Sequence, residues 1–240
     1  MIDGLSVLAV IPARGGSKGL PGKNVKQFLG KPLLHWSIES AQASDCVDRI
    51  IVSTDSEEIA GVARSGGCEV LARPEHLAGD AALIADALRN LISELNSRGN
   101  HFDLMVLLQP TSPIRPVRLI DRCVREMLRG GANSLATFSK LPVEAERLWV
   151  LTDDEPRALL DSANPWLPRQ ALSEVAYLNG LVYVFEVDAF MASDQPSVLV
   201  GKSRSLLTED YADIDTLQDF KKAETRMAKL GLTAEFSFSK

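Results

Sequence analysis

The sequence predicts an α/β protein built on a doubly wound, mostly parallel sheet, and three observations support this fold class. Short apolar segments alternate with segments whose apolar residues recur at helical spacing. Segments such as VLAVI (7–11) and FDLMVLLQ (102–109) are hydrophobic almost without interruption, as strands covered on both faces are. Loops rich in glycine, proline and hydroxyl residues follow these segments, and ligands bind at that end of such sheets.

The predicted elements alternate along one domain that spans residues 1–240. Strands are predicted at 7–11, 49–53, 69–71, 102–109, 134–138 and 181–185. Helices are predicted at 32–43, 56–67, 80–95, 117–128 and 215–229, the second with Asp55 or Ser56 as its N-cap. Residues from about 140 to 176 break the rhythm with several prolines and two tryptophans. We interpret them as an excursion from the core, a candidate dimerisation arm, with a plain surface loop as the alternative.

The composition argues against several classes of protein. A net charge of −6 is not typical of a nucleic-acid-binding protein, which usually carries a basic face. No run of about 18 apolar residues occurs, so we expect a soluble cytoplasmic protein without a membrane partner. The three cysteines, Cys46, Cys68 and Cys123, are odd in number and lack CxxC spacing. That pattern favours buried thiols in a reducing compartment over disulfides or a zinc site.

The loop IPARGGSKGLPGKN (11–24) follows the first predicted strand and contains four glycines and three cations but no acid. Glycines let backbone N–H groups approach an anion, while arginine and lysine side chains supply positive charge. The loop fits neither GxxxxGK[ST] nor GxGxxG, which argues against a P-loop NTPase and a nicotinamide enzyme. We expect a polyanion such as a triphosphate here, with a solvated glycine turn as the alternative.

This loop resembles the signature of the acylneuraminate cytidylyltransferase family, the CMP-sialic acid synthetases. Further segments resemble the family in the same order: VSTDSEEIA, ARPEHLAGD, LLQPTSPIR, LPRQ followed by YLNGLVYVF, and DIDTLQDF. Together they cover about residues 5 to 220. The GGSKG and KN parts of the first loop are more similar to the sialic-acid branch than to the relatives that activate Kdo.

The resemblance implies a Rossmann-like nucleotide-diphospho-sugar transferase fold and a homodimer. It implies that CMP passes from CTP to the anomeric hydroxyl of a nine-carbon 2-keto sugar acid, with Mg²⁺ as cofactor and pyrophosphate released. The acceptor would be sialic acid or a relative such as legionaminic or pseudaminic acid. Two alternatives stay open: a cytidylyltransferase for Kdo or another small acidic acceptor, and a regulatory domain that binds nucleotide without turnover.

The resemblance also assigns nucleotide-binding residues. Arg14, Lys18 and Lys23 would act in catalysis as well, because they would neutralise the departing pyrophosphate. For Arg73 the alternative is an ordinary loop arginine. The expected nucleotide-binding set is Arg14, Gly15, Gly16, Ser17, Lys18, Lys23, Asn24, Arg73 and Asp80.

Asp213 and Asp215 are the candidate metal ligands, and they count as catalytic residues through the metal that they would hold. Residues at i and i+2 of an extended segment point to the same side, so two carboxylates can hold Mg²⁺ together. Such a metal would polarise the α-phosphate. The alternative is that Asp215 caps the following helix, and one residue could both cap the helix and bind the metal.

By resemblance, the acceptor sugar would contact Gln109, Thr111, Ser112, Arg169, Gln170, Tyr177 and Asn179. Arg169 would clamp the sugar carboxylate with two hydrogen bonds. The alternatives are a strand-ending turn at QPTSP and edge-of-strand positions for Tyr177 and Asn179. One departure is clear: the family often has ATDTASS where this chain has AGDAALI (78–84), which removes hydroxyl donors and leaves a more apolar wall.

Overall fold

A computed structural model describes residues 1–209 and 212–231 of the chain. Its centre is a seven-stranded sheet in the order β11-β7-β10-β6-β1-β4-β5, in which only β10 runs antiparallel to its neighbours. The strands are β1 Val7–Pro12, β2 Gln27–Phe28, β3 Lys31–Pro32, β4 Arg49–Thr54, β5 Glu69–Ala72, β6 Leu104–Leu107, β7 Ser134–Lys140, β8 Trp149–Thr152, β9 Glu155–Ala158, β10 Ala176–Glu186 and β11 Ser203–Leu207. The helices are α1 Leu33–Gln42, α2 Glu57–Ser65, α3 Ile84–Ser97, α4 Leu119–Arg129, α5 Val187–Met191 and α6 Leu217–Lys229. The predicted α/β fold class is confirmed.

Helices cover both faces of the sheet, and β1 shows why. Val7 and Ala9 pack into a core with α1, α2 and α4, whereas Leu8 and Val10 pack into a second core with α3 and α5. Successive side chains of a strand point to opposite faces, so a strand between two helical layers must be apolar throughout. A third cluster joins α6 to α1 through Phe28, Trp36 and Phe220.

The structure corrects two predicted boundaries and adds one strand. The last core strand begins at Ala176 rather than Leu181, with an irregularity near Gly180 that the apolar pattern does not mark. Helix α3 begins at Ile84, four residues after the predicted Asp80. The edge strand β11 has no predicted counterpart, because only Leu206 of its five residues is buried. An edge strand covered on part of one face carries little hydrophobic signal.

Residues 140–176, called the arm below, connect β7 to β10 and lie outside the seven-stranded sheet except at their two ends. The arm carries the β8–β9 hairpin and two short 3₁₀ turns, Ala145–Arg147 and Arg169–Ala171. Its large apolar side chains do not form a local core: Trp166 is 89% exposed, and Trp149 and Leu151 are exposed as well. The arm therefore presents an apolar surface to its surroundings.

The cysteines are buried and unpaired, as predicted. Burial raises the pKa of Cys46 and Cys123 to about 12 and that of Cys68 to about 11, so the thiols stay protonated. Within residues 1–209 and 212–231, no helix is long and apolar enough to cross a membrane.

Asn179 holds the irregular part of β10 from inside the protein. Its amide donates to Ser139 Oγ at 2.9 Å and Thr208 Oγ1 at 2.6 Å, and its carbonyl accepts from Thr137 Oγ1 at 2.7 Å. The side chain is buried and its amide is occupied on both sides. Asn179 therefore has a structural role, since it ties β10 to β7 and to the chain after β11, and its expected contact with the sugar stays a prediction.

Asn179→Ala is expected to lower the free energy of unfolding by about 2–4 kcal/mol, because several buried hydroxyls lose their partner at once. Urea denaturation would measure it. Asn96→Ala, at an exposed position on α3, is the matched control and should change stability by less than about 0.5 kcal/mol. Equal effects of the two substitutions would contradict the structural role of Asn179.

Candidate functional site

A cleft of about 390 Å³ opens where strands β1 and β6 end and the predicted basic loop begins. This volume falls within the range of small-molecule sites. Ten of the predicted site residues line it: Arg14, Ser17, Lys18, Lys23, Asn24, Arg73, Asp80, Gln109, Thr111 and Asp215. The structure thus brings together residues that lie as much as 200 positions apart in the sequence.

The basic loop is pinned against the segment that precedes α6. Lys23 Nζ donates to the carbonyl of Ile214 at 2.9 Å and contacts Asp215 Oδ1 at 2.8 Å. A Cβ built on Gly19 would overlap the backbone carbonyl oxygen of Asp215. The Ile214 N–H in turn donates to the Thr111 carbonyl at 2.9 Å, so three separate segments form one wall of the cleft.

Acids from outside the loop neutralise its cations. Asp80 pairs with Arg14 at 3.1 Å and with Lys18 at 2.6 Å, and Asp215 pairs with Lys23. The Gly15 N–H donates to Asp55 Oδ1 at 2.9 Å. The loop itself contains no acid, so only the folded chain could show this compensation.

Asp213 and Asp215 lie close enough to influence each other. The pKa of the Asp213 carboxyl is raised, first by its partial burial and then by the negative charge of Asp215, against a hydrogen bond from the Thr111 side chain. A divalent cation between two such carboxylates would relieve their repulsion. Among the residues that the structure describes, no third acid, histidine or cysteine completes a larger metal cluster.

The helix-capping alternative for Asp215 is wrong. Thr216 caps α6, since its hydroxyl accepts from the Asp219 N–H while the Asp219 carboxylate accepts from the Thr216 N–H. Asp215 therefore faces the cleft without a capping role. The Asp210 and Tyr211 positions beside this segment lie outside the described residues.

Arg73, which is half-buried, and Asn24, which is buried, both line the cleft. Arg73 Nε donates to Ser53 Oγ at 3.3 Å and Nη2 to the Ser53 carbonyl at 3.2 Å, while burial lowers its pKa. Further guanidinium N–H groups remain for a ligand. Asn24 Nδ2 donates to the Arg14 carbonyl, whereas its Oδ1 is buried without a partner among the described residues. A buried acceptor without a donor is costly unless a ligand or water supplies one.

Gln109 lies at the end of β6 and lines the cleft. A Cβ on Gly180 would overlap its Oε1, so glycine at that position, with φ +74°, leaves room for the amide. Arg115, which is 1% exposed, donates to the carbonyls of Leu181 and Gln109 at 2.9 and 3.3 Å. Burial lowers the pKa of Arg115 to about 9. Arg115 thus holds the backbone that carries Gln109.

Five predicted sugar-binding residues do not line this cleft: Asn179, described above, and the four that follow. Ser112 is fully buried and donates to the Asn179 carbonyl at 3.2 Å, which fits the strand-ending turn. Arg169 lies on the arm, with its side chain 79% exposed and paired with Glu144 at 2.8 Å. Gln170 lines the same arm groove as Arg169, and Tyr177 lies half-buried where β10 pairs with β7.

Residues that the sequence did not single out complete the cleft. Leu77, Ala82, Leu83 and Ile84 form an apolar wall, and Leu83 is 48% exposed there. The departure AGDAALI was the only sequence signal of this wall. Gly19 and Gly180 had none beyond being glycines, because their need for space comes from residues distant in the sequence.

The chain is similar to a known protein family and to several characterised proteins. Residues 8–191 match a protein-family model described as cytidylyltransferase. The chain is 39% identical over 238 residues to the CMP-N,N'-diacetyllegionaminic acid synthase of Legionella pneumophila, covering 93% of this chain and 97% of that protein. It is 30% identical over 223 residues to the pseudaminic acid cytidylyltransferase of Campylobacter jejuni, covering 90% and 94%.

A solved structure is similar in fold. It is that of CMP:2-keto-3-deoxy-manno-octonic acid synthetase complexed with CTP, with a TM-score of 0.68 over 94% of this chain and 99% of that one. The two chains are 20% identical. This likeness supports the α/β architecture described above.

Gly19→Ala is expected to weaken the binding of inorganic tripolyphosphate roughly ten- to a hundredfold. The new Cβ would push the basic loop off the Asp215 carbonyl, and overpacking against backbone costs about 1–3 kcal/mol. Isothermal titration calorimetry would measure the affinity. Gly61→Ala on α2, where a Cβ meets nothing within 4 Å, is the control and should bind as the unaltered protein does. Unchanged binding by Gly19→Ala would refute this account of the wall.

Proposed function

This chain belongs to the cytidylyltransferase family, and we propose that it transfers CMP from CTP to the anomeric hydroxyl of a nine-carbon 2-keto sugar acid and releases pyrophosphate. The observation that carries the proposal is the cleft itself, where the glycine-rich basic loop at the end of β1 meets the Asp215 carboxylate of the segment before α6. Relatives named for legionaminic and pseudaminic acids match over nearly their whole length.

Arg14, Lys18 and Lys23 are the residues proposed to hold the triphosphate. The backbone N–H of Gly16 and the Ser17 hydroxyl would add donors around it, and the Gly15 N–H would do so by exchanging its bond to Asp55 for one to phosphate. As the α-phosphorus bond to the leaving group breaks, negative charge builds on the pyrophosphate oxygens, and the cations stabilise it. Lys23 is already oriented by two oxygen acceptors, so it loses little freedom when the substrate binds.

The proposed Mg²⁺ ligands are Asp213 and Asp215. The donor set fits this ion, since Mg²⁺ is commonly bound by one or two carboxylates together with phosphate oxygens and waters. When bound, Mg²⁺ would polarise the α-phosphate and lower the pKa of the attacking sugar hydroxyl. Burial, and after it the negative charge of Asp215, raises the pKa of Asp213, and a bound cation would favour the ionised form of both carboxylates.

The acceptor would lie beside Gln109 and Thr111, and the nucleotide would be held by Arg73 and Asn24. The unpartnered Asn24 Oδ1 can accept a hydrogen bond from a ligand N–H or O–H group. The apolar wall around Leu83 offers packing surface where the family often carries hydroxyls. Specificity among related sugar acids then rests on a few polar contacts, which an acceptor panel can rank.

The test is pyrophosphate release from CTP and Mg²⁺ with a panel of acceptors: neuraminic, legionaminic, pseudaminic and ketodeoxynonulosonic acids, and Kdo. We expect strong turnover with one nine-carbon acid and its loss when the metal is chelated. The double variant Asp213→Ala, Asp215→Ala should lower turnover by about two to four orders of magnitude while keeping most CTP binding. Preference for Kdo, or CTP binding without any turnover, would replace the proposal with one of the two alternatives.

We also propose that the chain works as a homodimer paired through the arm. Exposed apolar side chains on residues 140–176 support it, because an apolar surface of this kind is typical of an interface. The buried, unpaired cysteines and the use of CTP support a cytoplasmic location.

Light scattering after size-exclusion chromatography should give twice the chain mass of 26.1 kDa. Trp166→Ser combined with Leu151→Ser should shift the mass toward that of one chain, since it removes two of the most exposed apolar groups of the arm. Leu217→Ser, an exposed leucine outside the arm, is the control and should leave the mass unchanged. A single-chain mass for the unaltered protein would rule out the dimer.

A further inference from the structure

Asp80 bridges two cations of the basic loop. One carboxylate oxygen contacts Lys18 Nζ at 2.6 Å, and the other contacts Arg14 Nη1 at 3.1 Å. Arg14 Nη1 also donates to the Gly79 carbonyl at 3.2 Å, so residues 79 and 80 together contact both cations. A phosphate group accepted by Arg14 and Lys18 would need the space that this carboxylate fills.

Asp80 lies on a segment that could move without disrupting a helix or a strand. It sits between the 3₁₀ turn Glu75–Leu77 and the start of α3 at Ile84, and neither Asp80 nor Gly79 belongs to a helix or strand. Its side chain is half-exposed, and its only ion pairs among the described residues are the two with the loop cations. Movement of this segment would break no buried packing of Asp80 itself.

Lys23 provides the contrast. Its side chain is only 13% exposed, and it is held by the Ile214 carbonyl as well as by Asp215. Lys18 is 79% exposed and has only Asp80 as an ion-pair partner within the part of the chain that the structure describes. The two ends of the loop therefore differ. Lys23 is fixed in the wall of the cleft, whereas Lys18 is held by Asp80, which a phosphate could replace.

We propose that Asp80 is an internal counter-ion that determines polyphosphate affinity: it occupies the phosphate position between Arg14 and Lys18 in the empty cleft and is displaced when the polyphosphate binds. Arg14 and Lys18 thereby exchange one anionic partner for another, so their ion pairs with Asp80 are lost as those with phosphate form. The same carboxylate returns to the cations as pyrophosphate leaves. The proposal deepens the function proposed above and rests on it for the identity of the natural ligand.

This role has the opposite sign from a direct contact between Asp80 and the nucleotide, which the family resemblance predicts. A residue that contacts the ligand weakens binding when it is altered, whereas an internal competitor strengthens binding when it is removed. Exposed ion pairs are individually weak, so the gain should be modest, about three- to tenfold. The gain should shrink at high salt, because screening weakens the exposed charges that produce it.

The test compares the unaltered protein with Asp80→Asn, which keeps the size of the side chain and removes its charge. Isothermal titration calorimetry with inorganic tripolyphosphate, at low and high salt, reports on the counter-ion without requiring a nucleotide site. We expect Asp80→Asn to bind tripolyphosphate about three- to tenfold more tightly at low salt. Glu94→Gln removes one charge from an ion pair on α3 outside the cleft and should leave the affinity unchanged.

Unchanged or weaker tripolyphosphate binding by Asp80→Asn would overturn the proposal, as would an equal gain in Glu94→Gln. A parallel titration with CTP separates this result from the proposed function. If the unaltered protein binds tripolyphosphate but not CTP, the cytidylyltransferase proposal fails, while a gain in Asp80→Asn still supports the counter-ion. Thermal unfolding of each variant verifies that the fold is intact.

Discussion

The contact between the basic loop and the segment before α6 is the constraint on which the site depends. Lys23 reaches the Ile214 carbonyl across 191 positions of sequence, and Gly19 lies against the Asp215 backbone. This contact joins the first strand-ending loop to the last, and it sets the two candidate metal ligands beside the candidate phosphate ligands. Without it, the cations and the carboxylates would be two unrelated surface features.

Every cation of the basic loop is paired with a carboxylate from another segment, and a bound anion would replace that carboxylate. Lys23 is compensated by Asp215, and Arg14 and Lys18 by Asp80. A cluster of cations without partners would repel itself and would attract any anion. Pairing each cation with an acid lowers that repulsion, and it means that only an anion with more charge or better geometry than a carboxylate displaces the pair.

The arm separates two groups of residues that a sequence motif would place together. Gln109 lies in the cleft, whereas Arg169 and Gln170 lie in a groove of the arm beside Glu144. The same arm exposes Trp149 and Trp166. These arm side chains therefore lie outside the cleft of their own chain, where the proposed homodimer would place a second chain against them.

The sequence by itself determined the α/β class, the strand-ending loops and most of the residues that line the cleft. Uninterrupted apolar strands and the run from Arg14 to Asn24 are local patterns, and local patterns can be recognised from the sequence alone. Only the tertiary structure decided which acids compensate the loop, that Thr216 rather than Asp215 caps α6, and that Asn179 is buried in a hydrogen-bond network. The physical reason is that these properties belong to pairs of atoms from distant segments. The sequence around one residue does not indicate which distant carboxylate or carbonyl the fold will bring within about 3 Å of it.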